Sequence, residues 1–358
     1  MKAFLISDIH FGVHELNLDK WLDIQLDYFY NFFIPILEKK YKKDDKLFIL
    51  GDLFDNRTYL NIKVMVKVLE LFETFEKMNI DIHIITGNHD LWGEHDYRYN
   101  SLNILKKFNN VQIYTDPTIL NINSVKILLL PWITDIKKEH IELKKYAGKV
   151  NYLFTHSDLR GAKTNLKVTL KHGPTIADFV GFPKVYAGHI HLYQKIDNFT
   201  FLGSPYHLDR NDKGNKKGLT IVDIENGEEE WIPNNLSPEF KTIKIETESD
   251  IKHLDNLNMI NDNENNFIDL YIKNSLIINK PDMRKKIEHI SKKQRITINQ
   301  IDDIVIKDSV ENIDLNDIGV EISIEDMIRQ YVKNQQYKDN IKDDIENLLD
   351  YVINISKK

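Results

Sequence analysis

The 358-residue sequence contains no cysteine. That absence excludes disulfides, thiolate zinc sites and cysteine nucleophiles, and it leaves histidine, aspartate and asparagine as the available metal ligands. Long apolar runs are also missing. The amino terminus reaches only Phe4-Leu5-Ile6 before Asp8, too short for the apolar region of a signal peptide, and Ile127 to Ile133 is too short to cross a bilayer. A cytoplasmic protein is therefore expected. There is no excess of positive charge: the formal net charge is −7, which argues against coating nucleic acid by bulk electrostatics. Any phosphate binding must come from metals and local basic patches. No internal repeat or low-complexity tract occurs.

What is present belongs to a soluble globular chain, 42% hydrophobic and 29% charged, and long enough for one large domain with smaller attachments. Its organising stretch is Ile84-Ile85-Thr86-Gly87-Asn88-His89-Asp90, a strand-like apolar run that stops at a glycine and delivers Asn, His and Asp. Four further stretches share the design. Asp8 and His10 follow Ala3 to Ile6; Gly51, Asp52 and Asp55 follow Leu47 to Leu50; His156 follows Tyr152 to Phe154; and Gly188, His189 and His191 follow Val185 to Ala187. Open α/β sheets bind ligands beyond the carboxyl ends of their strands, so five strands can converge these groups on one crevice.

In chain order, a strand over residues 1 to 10 precedes a helix from Leu18 to Leu37 that bends near Pro35. A second helix is expected from Ile62 to Met78, with enough apolar surface to leave room for a dimer contact. Strands then alternate with helices before short strands take over, which predicts an α/β fold of two packed sheets with helices outside. Among Arg160, Lys163, Lys167 and Lys171, the residues Leu166, Val168 and Leu170 alternate as in a half-exposed strand; the basic residues are either solvated or contact a phosphate backbone. A boundary near Pro233 to Pro238 opens a small α+β domain, residues 236–307, whose helix from Pro281 to Lys293 carries Arg284, Lys285, Lys292 and Lys293 outward as further candidates for DNA contact. Residues 308–324 are acidic and linker-like, and 325–358 form an apolar helical tail.

Two divalent cations held about 4 Å apart clamp a phosphate and lower the pKa of a bridging water. Such a pair needs a bridging carboxylate, and Asp52 is the natural one. Asp8, His10 and one late histidine suit the first cation; Asn88, His156 and the other late histidine suit the second. Nitrogen and oxygen ligands without sulfur suit manganese, iron or zinc better than calcium, and manganese is expected. His89 adjoins Asn88 without needing to bind metal, so it is free to protonate a leaving oxygen, with Asp55 placed to orient it.

The ordered set Asp-x-His, Gly-Asp-x-x-Asp, Gly-Asn-His-Asp, an isolated His after a strand and Gly-His-x-His resembles the calcineurin-like metallophosphoesterase superfamily. Gly51-Asp52-Leu53-Phe54-Asp55, Gly87-Asn88-His89-Asp90 and the later Gly203-Ser204-Pro205 are similar to its SbcD-type DNA repair nucleases, and Pro131-Trp132 and Ile232-Pro233-Asn234-Asn235 to the phage branch. The resemblance, strong over residues 1 to 235, implies a two-sheet nuclease domain, a DNA-facing capping domain, and a tail that binds an SbcC-type coiled-coil ATPase. It implies manganese-dependent 3′ to 5′ exonuclease action on duplex ends, endonuclease action on single strands, a homodimer formed through helices near the site, and, for a phage protein, the host cytoplasm. By motif matching, Asp8, His10, Asp52 and His191 take one metal; Asp52, Asn88, His156 and His189 take the other; His89 is the catalytic histidine. At Asp55 the archaeal and eukaryotic members carry histidine. A phosphomonoesterase or protein phosphatase of the same fold is the competing enzyme, against which Phe54 and Asp90 weigh, and a catalytically silent DNA-holding scaffold is the competing non-enzyme.

Overall fold

A strand that is apolar at every position must be covered on both faces, because successive side chains point to opposite sides. That rule sets the layering of this protein. The computed structural model describes residues 1–14, 18–92, 97–252, 267–273 and 296–301, with Leu276, Asp282, Lys285–Ile287 and Ile290. All belong to the first of the chain's two units, Met1–Asp302. The expected linker 308–324 and helical tail 325–358 lie outside the described residues.

Strands β1 (Lys2–Ile6), β2 (Lys46–Leu50), β3 (Ile82–Ile85) and β4 (Val111–Tyr114) run parallel in one sheet, which β11 (Gly218–Asp223) and β12 (Glu229–Pro233) extend antiparallel beyond β1. In the second sheet β6 (Val125–Leu130), β7 (Tyr152–His156), β8 (Lys184–Gly188) and β10 (Phe199–Phe201) are parallel, with β5 (Thr118–Ile122) and β9 (Gln194–Ile196) as antiparallel edges. Ala3, Leu5, Phe48 and Leu50 of the first sheet meet Ile127, Leu129, Phe154 and Tyr186 of the second in one apolar layer. Phe48 and Phe154 cross edge to face there, with ring centroids 4.9 Å apart. The alternate residues Phe4, Ile6, Leu47, Ile49, Ile82 and Ile84 face outward under helices. Leu128, Leu130, Leu153 and Val185 do the same on the other side. The result is the expected two-sheet α/β sandwich flanked by helices.

The first three helices follow their sequence signals with one local departure. Helix α1 (Leu18–Tyr28) continues through a π-helical turn, Phe29–Phe33, into α2 (Ile34–Lys40), where Pro35 occupies the first turn. Proline brings no N–H to the helical ladder, and the widened turn absorbs the break that the sequence placed at this residue. Helix α3 (Ile62–Lys77) is capped by the Asn61 side chain, which accepts from Lys63 N, and it buries Val64, Val68, Leu71, Phe72 and Phe75. Helix α4 (Ile136–Tyr146) was not anticipated: its Ile136 and Ile141 are exposed, so its apolar pattern is weak. The edge strands β4, β5, β9 and β12 were missed for a related reason, being short and only partly buried.

The segment 160–171 is not the strand its alternation suggested. It forms a tight excursion with a single bridge, Lys163 to Thr169, and the Asn165 side chain accepts from Lys167 N and Val168 N, which bends the backbone out of an extended path. Leu166 and Val168 are consequently exposed.

Beyond Pro238, β13 (Phe240–Ile245), β14 (Phe267–Lys273) and β15 (Ile296–Ile301) form a three-stranded sheet whose parallel pairing the sequence did not indicate. Ile245, Ile268, Leu270 and Ile272 pack with Ile287 and Ile290 in its own small core. The sheet docks on α1: the Trp21 ring stacks on Phe267 at 5.0 Å and on Phe240 at 6.3 Å. A two-pronged ion pair from Arg210 Nε and Nη2 to Asp269, at 2.5 and 2.6 Å, fixes the orientation.

Because Phe154 is fully buried between the sheets, Phe154→Ala should cost about 3–5 kcal/mol, read as a lowered midpoint of chemical unfolding with an unchanged slope.

Candidate metal centre

The register of the two sheets brings the predicted residues to one edge. Ile6 pairs with Ile49 and Leu50 with Ile85, so β1, β2 and β3 end together; His156 pairs with Gly188 at the corresponding edge of the second sheet. Just past these ends the backbone turns sharply. Asp8, His10, Asp52 and His189 all have positive φ, at 54°, 51°, 53° and 91°. For residues other than glycine this left-handed region costs on the order of 1–3 kcal/mol each and clusters at functional sites. The strained segments are braced by each other, with Asp8 N donating to Gly51 O at 3.2 Å, His10 N to Asp52 O at 3.0 Å and Phe11 N to Leu53 O at 2.8 Å. Gly51 combines positive φ with a position where a Cβ would collide with His156 Nδ1 and the Gly87 backbone, which is why no larger residue fits.

Asp90 holds the β2 and β3 ends together. Its buried carboxylate accepts from the amides of Asp52 at 2.8 Å, Gly87 at 2.9 Å, Leu53 at 3.1 Å and Phe54 at 3.3 Å. The last residue of the Gly-Asn-His-Asp stretch is thus a brace for the loop that presents Asp52.

Among the described residues three clusters of ligand-type atoms form, each with its atoms within 4.8 Å of one another: Asp8, His10 and His191; Asp52, His156 and His189; and His10, Asp52 and His89. Asn88 joins the second, its Oδ1 lying 2.9 Å from His156 Nε2 and 3.0 Å from His189 Nδ1. All seven residues predicted as ligands are therefore brought together, and His10, Asp52, Asn88, His189 and His191 line a cleft of about 190 Å³ with His89 and Asp55.

The hydrogen bonds around the cluster select the ring nitrogens that face it. His156 Nδ1 donates to the Leu50 carbonyl at 2.7 Å, so a neutral His156 turns a lone pair, at Nε2, toward Asn88 Oδ1 and, at 3.4 Å, Asp52 Oδ2. His10 Nδ1 is engaged by the Asp55 carboxylate at 3.1 Å, and its Nε2 faces His191 Nε2 at 3.2 Å. His189 Nε2 is engaged by Asp158 at 2.9 Å, and its Nδ1 faces inward. Acceptor thus faces acceptor at several points. A cation is what such a donor set lacks, and atoms sharing one at ~2.1 Å stand about 3 Å apart at adjacent octahedral positions. The residues fit divalent metal.

Without metal, protons take up part of this charge. Burial disfavours the His156 imidazolium, but the Asp52 carboxylate beside it outweighs burial and raises its pKa to about 9. The same pairing holds Asp52 well below the usual carboxylate range against the opposing effect of burial. His191 goes the other way: burial, reinforced by the neighbouring His10, lowers it to about 4.

His89 stands at the cleft with its ring 4.8 Å from that of His10. Asp55 orients it through the main chain, the Asp55 carbonyl accepting from His89 Nδ1 at 2.6 Å, while the Asp55 carboxylate that the sequence assigned to this task engages His10 instead. Two neighbours of the cluster escaped the sequence reading. Asp158 orients His189, and its i, i+2 spacing from His156, the same as in Asp8-Ile9-His10 and His189-Ile190-His191, was an available signal. Trp132 stacks on the His189 ring at 4.8 Å, for which the sequence held only the proximity of Pro131-Trp132 to the end of β6.

Of the basic residues predicted to contact DNA, Arg160, Lys163, Lys167 and Lys171 are exposed on the excursion after β7. Thr164 and Leu170 of that excursion share a cavity of about 200 Å³ with Asp158, His189 and His191. Lys285 is exposed in the small domain. Arg284, Lys292 and Lys293 lie outside the described residues.

Residues 1–193 match the family described as calcineurin-like phosphoesterase. Exonuclease subunit 1 of Enterobacteria phage T4 is 28% identical over 240 residues, which span 66% of this chain and 69% of that protein. Among solved structures, an archaeal phosphodiesterase aligns with 17% identity and a TM-score of 0.34, over 65% of this chain and 100% of its own. A Thermus thermophilus protein aligns with 10% identity and a TM-score of 0.39, over 65% of this chain and 98% of its own.

Two predictions concern the unliganded centre. Asp90→Ala orphans four buried amides and should destabilise the protein by more than about 3 kcal/mol, measured by chemical unfolding. In chelator, the stability that His156 contributes is fully present below its unfolded pKa of 6.5 and is lost as pH rises through about 9. The thermal midpoint should fall across that window and flatten in His156→Gln. With Mn2+ present the trend should invert, because metal binding displaces the proton.

Proposed function

Because the chain belongs to the calcineurin-like phosphoesterase family, whose members hydrolyse phosphoesters with divalent metals, we propose that it is a two-metal DNA nuclease. It acts as a 3′ to 5′ exonuclease on duplex ends and as an endonuclease on single strands. The observation that carries the reading is the pair of ligand clusters, Asp8–His10–His191 and Asp52–His156–His189, whose lone pairs converge beside a cleft that also holds His89. The sequence likeness to a phage exonuclease subunit supports nuclease over phosphatase.

In this reading Asp8, His10, Asp52 and His191 would hold one ion and Asp52, Asn88, His156 and His189 the other, manganese being the expected metal. Two such ions would make a nucleophilic hydroxide available near neutrality and offset the phosphodiester charge. The rest is the work of the chain. Asp158 and the Leu50 carbonyl keep His189 and His156 in the tautomers that point lone pairs inward. His89, oriented by the Asp55 carbonyl, protonates the oxygen that leaves as the phosphorus–oxygen bond of the DNA strand breaks. Burial lowers the His89 pKa, which makes its protonated form the stronger acid while leaving less of it protonated near neutrality.

The exposed basic residues Arg160, Lys163, Lys167 and Lys171, on the excursion whose Thr164 and Leu170 share a cavity with His189 and His191, contact the DNA backbone, and the small domain, 236–307, caps the substrate through Arg284, Lys285, Lys292 and Lys293. Ile62 and Val66 of α3, 75% and 43% exposed, contribute to a homodimer contact beside the site. The tail, 325–358, binds an SbcC-type ATPase with which the enzyme works in double-strand-break processing and recombination in the cytoplasm. Among the described residues no helix is long and apolar enough to cross a membrane.

The test is Mn2+-dependent cleavage of duplexes labelled at the 3′ or the 5′ end. Early release of labelled mononucleotide from the 3′ end is expected, with His89→Ala reducing the rate about 10²–10⁴-fold and Asn88→Ala abolishing it without unfolding the chain. Hydrolysis of a small phosphomonoester with no DNA cleavage would move the protein to the phosphatase branch.

A further inference from the structure

Lys217, immediately before β11, is the only buried lysine among the described residues, its side chain being 1% exposed. Burying an ammonium is costly unless each of its protons meets an acceptor. All three do: Nζ donates to the His191 carbonyl at 2.8 Å, to Ser204 Oγ at 2.6 Å and to Asp212 Oδ1 at 2.7 Å. The His191 carbonyl also accepts from Ser204 N at 3.2 Å. Asp212 is occupied in turn, by Leu208 N at 2.8 Å and Asn215 Nδ2 at 2.9 Å.

Replacing a buried ion pair by apolar side chains of similar volume is often neutral or stabilising. Stability alone is therefore a weak reason for this arrangement. Its geometry supplies another. The acceptor that Lys217 reaches outside its own loop is the main chain of His191, whose Nε2 lies 3.2 Å from His10 Nε2 in the first ligand cluster. Ser204 belongs to the Gly203-Ser204-Pro205 stretch, for which the metal centre has no direct use, and its backbone and hydroxyl serve the same clamp.

We infer that Lys217 is a positioning residue for His191: its ammonium, held by Asp212 and Ser204, fixes the His191 carbonyl and with it the approach of the imidazole to one of the two metals. The inference rests on the two-metal reading above. It assigns Lys217 no contact with substrate or metal, and it makes the effect specific to the ion that His191 binds.

Isothermal titration of Mn2+ into the metal-stripped full-length chain separates the possibilities. The wild type should bind two ions. Lys217→Met should weaken one site by about 10–100-fold, the usual effect of losing a supporting partner of a metal ligand, and leave the other unchanged. Asp212→Asn/Lys217→Met, which removes the orphaned carboxylate along with the ammonium, should show the same single-site loss and carries the test if the single variant fails to fold; thermal unfolding in chelator reports that fold. Unchanged affinity at both sites, or equal weakening of both, overturns the positioning role while leaving the metal reading intact. A wild-type chain with no saturable Mn2+ binding overturns both.

Discussion

The constraint on which this structure depends is the crowding of hydrogen-bond acceptors at the edge of two sheets. Asp8, Asp52, Asn88 and four imidazoles are gathered where their lone pairs meet, an arrangement that opposes folding until protons or cations intervene. It persists because each group is held from behind. The Leu50 carbonyl holds His156, Asp158 holds His189 and Asp55 holds His10, so the rings cannot turn their donors inward to relieve the conflict. Asp90 does for the backbone what these partners do for the rings, gathering amides from the ends of two strands onto one carboxylate.

The sandwich makes that crowding affordable in a physical sense, since its apolar layers are placed away from it. One layer lies between the sheets and one lies outside each, all built from strands with little polar content. The polar groups are confined to the strand ends, where the backbone turns through left-handed conformations at Asp8, His10, Asp52 and His189. Stability built in the layers offsets strain stored at the edge.

Helix α1 links the centre to the small domain. Gln25 donates to the carbonyls of Ile9 and His10 at 3.1 and 2.8 Å, while Trp21, one turn earlier, stacks on Phe267 of the small domain's sheet. The loop between β10 and β11 makes a second link, for it carries Arg210, paired with Asp269, and Asp212, paired with Lys217. The small domain is thus anchored to the elements that hydrogen-bond the main chain of His10 and His191.

Much of this was legible in the sequence because strand ends and ligand types are local signals. Asp8, His10, Asp52, Asn88, His156, His189 and His191 each follow an apolar run, and a run ending in such residues is readable without knowing what it pairs with. The order of the five stretches then indicated a shared centre. Other features depend on neighbours distant in the chain, and only the tertiary structure decided them. Lys217 reads as an ordinary surface lysine until β11 is laid beside β1 and the loop before it closes over His191, 26 residues earlier. The Asp55 carboxylate turns to His10, 45 residues away, because the positive φ of His10 brings that ring within reach. The basic excursion at 160–171 imitated a strand because its apolar residues alternate, but strand formation needs a partner strand, and its hydrogen bonds run instead within the excursion, around Asn165, and to the Gln194 side chain. Identity and spacing determined which groups could meet; register, turn geometry and burial determined which of them did.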